Sequence, residues 1–274
     1  MRLIQHKREA YWFYRFLSLG YDRWVNPLFW TPAMRELALE KADLAPGQTV
    51  LDTGAGTGFT TEGIVARVDA ASVTMLDQSP HQLARSRTKP ALANCPRVLG
   101  DAENLPFGDD EFDKVISSIG VMFAPHHQAA ADELVRTCRP GGTIALLSWT
   151  PDGMLGDLFR TMGPFAPPPP PGAQAPPLWG SEEHLAELFG DRVTFATQQP
   201  GILEITAFAR PEDYAEHFKA RYGPTIVAQA NARKDGREAE FEAALQRFCE
   251  DHDRGTPDHA RFEMQYLVSV GTKA

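Results

Sequence analysis

Between residues 48 and 148 the chain alternates short apolar runs with segments of helical spacing, and this alternation is its clearest pattern. "TVLDTG" is an apolar run that stops at glycines, and "FTTEGIVARV" follows with helical periodicity. "SVTMLDQS" predicts a second strand, and "PHQLARSRTK" a helix with proline at its first position. "RVLGDAENLPF" holds a short third strand and a loop, and "FDKVISSIG" a fourth strand. "HHQAAADELVRTCRPGG" reads as a helix closed by Arg-Pro-Gly-Gly, and "TIALLSW" as a fifth strand. Apolar strands separated by helices predict an α/β fold: a Rossmann-like, mostly parallel sheet with helices on both faces. Ligands of such sheets lie beyond the C-terminal strand ends. Asp52 with its glycines, Asp77, Asp101 and Ser117 all fall at those ends, which places one site.

On either side of this core (46–150) the pattern changes. Residues 1–45 predict a helical cap, with helices near 8–19 and 31–42 joined by "YDRWVNPLFW". Residues 151–274 contain "GPFAPPPPPGAQAPPLWG", starting at Gly163, whose eight prolines between 164 and 177 predict a stiff crossover rather than a recognition motif. "SEEHLAELFG" is a helix capped by Ser181 and ended by Gly190. "RVTFATQQ" and "ILEITAFA" alternate like an antiparallel pair, two helices follow near 211–222 and 236–253, and "RFEMQYLVSVG" predicts the final strand of a sheet expected to be seven-stranded. The 151–274 region therefore reads as an α+β insertion before the final strand of the same domain.

Composition narrows the function. The 274 residues are 43% hydrophobic and 23% charged, ordinary for a globular chain. A formal net charge of −9 argues against nucleic acid as a partner and for a small-molecule substrate. Three separated cysteines give neither a disulfide framework nor a metal-ligand spacing. Arg15, Asp22 and Arg23 interrupt the aromatic N-terminal run, so neither a signal peptide nor a transmembrane segment is expected, and the chain reads as cytoplasmic. "YWFYRFLSLGY" packs on the core in one reading; in a second, it touches a membrane surface as a peripheral amphipathic helix.

The glycine-rich turn "VLDTGAGTGFTT" brings backbone close to a ligand. It lacks the Gly-Lys-Ser/Thr of a P-loop, and Phe59 stands where a dinucleotide fingerprint needs its third glycine. Asp52 sits two residues before the loop, where its charge repels a pyrophosphate and suits a cationic amino acid moiety.

These residues resemble the class I S-adenosylmethionine-dependent methyltransferases. The resemblance implies S-adenosylmethionine as cofactor, with Asp52, Gly54, Gly56 and Gly58 at its methionyl end. It implies Asp77 on both ribose hydroxyls, Gln78 against the adenine, Asp101 and Ala102 at the adenine amino group, and Ser117 and Ser118 beneath the cofactor.

From about Glu9 to Phe107, "YWFYRFLS", "YDRWVNP" and "VTMLDQSPHQLA" resemble methyltransferases of 2-methyl-6-phytyl- or solanesyl-benzoquinol. From "DAENLPF" onward the chain resembles bacterial class I methyltransferases of unassigned substrate, so it reads as a hybrid, whether natural, ancestral or designed. The first resemblance implies C-methylation of a quinol or phenol ring, with a prenylated quinol as substrate. Methylation of oxygen or nitrogen in another metabolite, a nicotinamide-dependent oxidoreductase and a non-catalytic binding module stay open beside it. Removing a phenolic proton makes the ortho carbon more nucleophilic, and Tyr21, His126 and His127 are the candidates for that base. Each has a structural alternative: Tyr21 in closing the cap, the histidines as a solvated pair at a helix start. No metal is implied.

Overall fold

The computed structural model describes residues 20–29, 31–256 and 258–274, less the side chains of Tyr21, Trp24, Asn26 and Pro27. The predicted helix 8–19, and with it the aromatic run, lies outside the described residues. Two single-turn helices, α1 (Tyr21–Trp24) and α2 (Asn26–Phe29), lead into α3 (Pro32–Lys41). Thr31 caps α3 by accepting the Met34 N–H at 3.3 Å, Pro32 occupies its first turn, and Met34, Ala38 and Leu39 form its buried face.

The chain then alternates as its pattern predicts: β1 (Val50–Thr53), α4 (Phe59–Val65), β2 (Val73–Asp77), α5 (Pro80–Ser86), β3 (Arg97–Leu99), β4 (Phe112–Ser118), α6 (His127–Thr137) and β5 (Cys138–Trp149). After α7 (Met154–Met162) and the proline segment come α8 (Glu182–Phe189) and β6 (Val193–Ile205). Three helices follow, α9 (Pro211–Arg221), α10 (Gly223–Lys234) and α11 (Glu238–His252), and β7 (Phe262–Lys273) closes the chain. The seven strands form one sheet in the order β3-β2-β1-β4-β5-β7-β6. β1 to β5 are parallel; β7 runs antiparallel between β5 and β6.

All four residues of β1 are buried, as a central parallel strand requires. Its register sets Val50 opposite Val73 on β2 and Lys114 on β4, so β1, β2 and β4 end side by side. α3 packs against β5 and β7, and α6 against β4 and β5. Phe29 packs edge-on against Phe218 of α9, with ring centroids 5.0 Å apart, and against Tyr214 at 6.4 Å. That cluster joins the N-terminal segment to the second half of the chain.

Three expectations are corrected. The pair "RVTFATQQ" and "ILEITAFA" is one 13-residue strand, β6. Pro200-Gly201 reads as a turn, but Pro200 pairs with Leu267 on β7, at the sheet edge where a proline is tolerated. Helix α10 lies between the two helices expected near 211–222 and 236–253; Gly223-Pro224 starts it, where proline has no hydrogen bond to lose. Arg139 to Gly142 belong to β5 rather than to a helix terminus.

Candidate functional site

The site forms where β1, β2 and β4 end. Gly54 (φ +75°) leaves β1 by turning against Gly120, so closely that a Cβ on Gly54 would lie 2.5 Å from the Gly120 Cα. The N–H groups of Gly54 and Ala55 both donate to the Leu76 carbonyl, at 2.8 and 3.0 Å, and pin the loop to the end of β2. Gly56 (φ +57°) has open space where a Cβ would stand, and its N–H donates to Asp77 Oδ2 at 2.8 Å. Asp77 Oδ1 accepts the Ser79 N–H, also at 2.8 Å. Each carboxylate oxygen retains a second lone pair. Burial pushes the Asp77 carboxyl up to about 6, against the pull of those two backbone donors.

Asp52 lies below this surface. It is 1% exposed and accepts the Thr61 hydroxyl at 2.6 Å, within the wall rather than on the cavity. Burial, opposed by Thr61 and reinforced by the negative charge of Asp77, pushes its carboxyl up to about 7. Ser117 is also internal: its hydroxyl donates to the Thr53 carbonyl at 2.6 Å and accepts the Val121 N–H at 2.9 Å, stapling β4 to β1. Gln78, Asp101, Ala102 and Ser118 do face the cavity. Asp101 Oδ1 accepts the Glu103 N–H at 3.1 Å. The buried Ser118 hydroxyl has no hydrogen-bond partner among the described residues.

The two histidines are not brought to the cavity. His127 is 0% exposed, with Nδ1 2.9 Å from His184 Nε2 and its ring against Trp179. Burial, with His184 close by, pushes it down to about 4, so it is a neutral core residue. His126 caps α6 and turns its ring between Glu103 and the proline segment. Neither ring is placed to take a proton from a molecule in the cavity. The Tyr21 side chain lies outside the described residues. Its neighbour Asp22 reaches the glycine loop: the Thr57 hydroxyl donates to Asp22 Oδ1 at 2.5 Å, and Lys89 lies 3.6 Å from the same oxygen. Asp22→Ala is expected to raise the Kd of S-adenosylhomocysteine about five-fold, by removing one hydrogen bond that holds the loop residue Thr57. An unchanged Kd by calorimetry would separate the N-terminal segment from cofactor binding.

One cavity of about 450 Å³ runs past these residues and continues into the second half of the chain. At the strand ends it is polar, with Asp77, Asp101, Gln78, Gln82, Thr57 and Thr60. Farther out its wall is Phe123, Phe159, Met162, the proline segment, Pro224 and Val227. Among the described residues, Asp77 and Asp101 are the ionisable side chains on the lining. Sequence reading missed this outer wall, although the helical spacing of "TIVAQANA" beyond Gly223-Pro224 held a usable signal.

The polar end matches what a sulfonium nucleoside presents. A ribose diol and an adenine amino group both need acceptors, and this end of the cavity carries the carboxylates of Asp77, with a spare lone pair on each oxygen, and of Asp101, beside which a cation is favoured. A methyltransferase-domain family model matches residues 50–142, the same β1 to β5 stretch. An uncharacterized protein of Mycobacterium tuberculosis is 45% identical over 194 residues, 69% of each chain. The chloroplastic 2-methyl-6-phytyl-1,4-hydroquinone methyltransferase of Arabidopsis thaliana is 52% identical over 147 residues, 53% of this chain and 44% of that one. Among solved structures, the YcgJ protein of a Bacillus species covers 89% of this chain and 99% of its own, with a TM-score of 0.63 at 17% identity. Geranyl diphosphate C-methyltransferase from Streptomyces coelicolor, solved with S-adenosyl-L-homocysteine, shares the fold with a TM-score of 0.51 at 14% identity, over 88% of this chain and 78% of its own. With the strand order, the glycine loop and the paired carboxylates all in place, the chain belongs to the class I S-adenosylmethionine-dependent methyltransferases.

Proposed function

We propose that this methyltransferase places its methyl group on a ring carbon of a hydrophobic phenol or quinol. The observation that carries the reading is the acceptor wall. Phe123, Phe159, Met162, Pro169, Pro224 and Val227 offer an electron-rich ring a dry, apolar surface and offer an amine or a carboxylate no partner. The name of the 52% identical Arabidopsis relative supports the same class of acceptor.

When bound, the cofactor supplies the methyl group as an electrophile, so the protein contributes alignment and exclusion of water. In this reading the two oxygens of Asp77 hold the ribose hydroxyls and Asp101 the adenine amino group, with Gln78 and Ala102 against the base. Gly54 and Gly56 bring main chain to the methionyl end, Gly58 lies behind them against Leu92 and Met75 rather than on the cavity, and Ser118 stands beneath the cofactor. Asp52 acts through Thr61 and Ser117 through Thr53, both as positioning residues. The methyl group that the bound cofactor would supply would go to the ring carbon, whose proton would be lost to water. An electron-rich ring accounts for an acceptor wall on which the described residues place no base.

The test incubates the protein with methyl-labelled S-adenosylmethionine and a panel of prenylated benzoquinols, short phenols, catechols and amines, followed by product analysis. Label on a ring carbon is the expected result. Label only on oxygen or nitrogen would overturn the reading and leave the polar-end assignments standing.

A further inference from the structure

The imidazole of His126 stands between two hydrogen-bond acceptors. Nδ1 lies 3.2 Å from Glu103 Oε2, and Nε2 lies 3.1 Å from the Pro171 carbonyl. An ionised carboxylate and a carbonyl have no proton to give. A neutral imidazole carries one N–H and can serve only one of them, whereas the imidazolium donates to both. The backbone fixes the residue in place, because Glu103 Oε1 accepts the His126 N–H at 2.8 Å where α6 begins.

Pro171 belongs to the proline segment, and that segment is a wall of the acceptor end of the cavity through Ala166, Pro167, Pro169, Pro170 and Ala173. Its two ends are secured independently of His126. Ala166 N–H donates to the Met162 and Gly163 carbonyls, and Gly180 packs so tightly on Trp149 that a Cβ would lie 2.2 Å from the carbonyl oxygen. Between these anchors, the five prolines 167–171 have no N–H with which to tie the segment down. Two contacts join its middle to the body of the protein at the same place. One is the His126 ring on the Pro171 carbonyl; the other is the Gln174 N–H on the Pro125 carbonyl, at 2.9 Å. Pro125 and Gln174 line the cavity, so their tie closes the acceptor end directly, and the His126 tie holds the adjoining Pro171 just behind that wall.

We propose that His126 is a positioning residue for the acceptor. As the imidazolium it latches the proline segment against Pro125 and Glu103, giving the outer cavity its wall. As the neutral ring it releases one of its two partners, and the segment is held less firmly. Among the described residues, the charged group facing the ring is Glu103, from the loop after β3; the segment contributes the Pro171 carbonyl. His127, next on α6, is turned to His184 instead. The latch does not depend on which acceptor the enzyme uses. It also gives His126 a role other than proton abstraction.

The Gln174 amide is the probe, since its hydrogen bond exists only while the segment is seated. Its hydrogen exchange is measured by NMR on the full chain with S-adenosylhomocysteine bound, each rate being divided by the intrinsic rate at that pH. Measurements at about pH 5.5 and about pH 8 bracket the range in which an imidazole changes charge. In the wild type, protection of Gln174 is expected to fall about five-fold between them, the size of one lost hydrogen bond. In His126→Ala it is expected to be low at both pH values, while the Ile116 amide inside β4 follows neither change. His126→Gln, which keeps a permanent donor, should restore part of the protection without its pH dependence. Equal wild-type protection at both pH values would overturn the latch. So would a His126→Ala protein that keeps the wild-type response, or an Ile116 amide that tracks Gln174 and so reports global stability.

Discussion

Asp77→Asn is expected to weaken S-adenosylhomocysteine binding about 100-fold, the loss of two charge-assisted hydrogen bonds at roughly 1.5 kcal/mol each. The carboxylate accepts Gly56 N–H on one oxygen and Ser79 N–H on the other, with a lone pair left on each for a ribose hydroxyl. An amide can accept on one side only, so its NH₂ must oppose one of these two N–H groups and one of the hydroxyls. Titration calorimetry on the folded variant gives the number, and a loss below about three-fold would remove Asp77 from the ribose.

The same residue sets a pH dependence with two opposed signs. Burial raises the Asp77 carboxyl from 3.8 to about 6 and that of Asp52 to about 7. The ligand-free fold therefore holds this contribution to stability below the ordinary carboxylate range and loses it as pH rises through about 6 and 7. Binding runs the other way, because hydroxyl donors and a nearby cation favour the ionised form. Wild-type affinity should accordingly fall as pH drops below about 6, and the affinity of Asp77→Asn should lack that step.

The second large effect is on the fold itself. Gly54→Ala adds a methyl group 2.5 Å from the Gly120 Cα at a residue with φ +75°, so backbone strain and a main-chain clash combine. Together they cost about 3 kcal/mol, which lowers Tm by about 8 °C in a chain of this size. Gly47→Ala is the control. Gly47 has φ +88° but nothing within 4 Å of a Cβ, so only the strain applies and a drop of about 3 °C is expected. Equal shifts for the two variants in thermal unfolding would show that the Gly54–Gly120 approach relaxes freely.

Sequence reading succeeded where structure is local. Gly54, Gly56 and Asp77 lie at strand ends whose neighbours follow from chain order, so their meeting at one cavity was legible, whereas Asp52 and Gly58 lie behind that surface. The acceptor wall was not legible. It is assembled from Phe123, from Phe159 to Pro176 and from Gly223 to Val227, segments that meet only through tertiary packing. The proline run was legible as a stiff crossover but not as a wall, because stiffness says nothing about what a segment faces. The adjacent histidines misled for a related reason. Residues next to each other at a helix start point in different directions, and His127 went into the core with His184 while His126 went to the proline segment. Pro200-Gly201 and Gly223-Pro224 are each accommodated within an element, one at a sheet edge and one in the first turn of a helix.

The proline in β6 has a further consequence. β6 is the outermost strand on its side of the sheet, 13 residues long, with Ile202 57% exposed. A long, flat, apolar border of that kind invites another chain to extend the sheet and begin aggregation. Pro200, two residues from Ile202, deprives an incoming strand of a main-chain donor, and the carboxylate of Glu204 flanks the same stretch. The residue that obscured this strand in the sequence thus works against strand addition along that border.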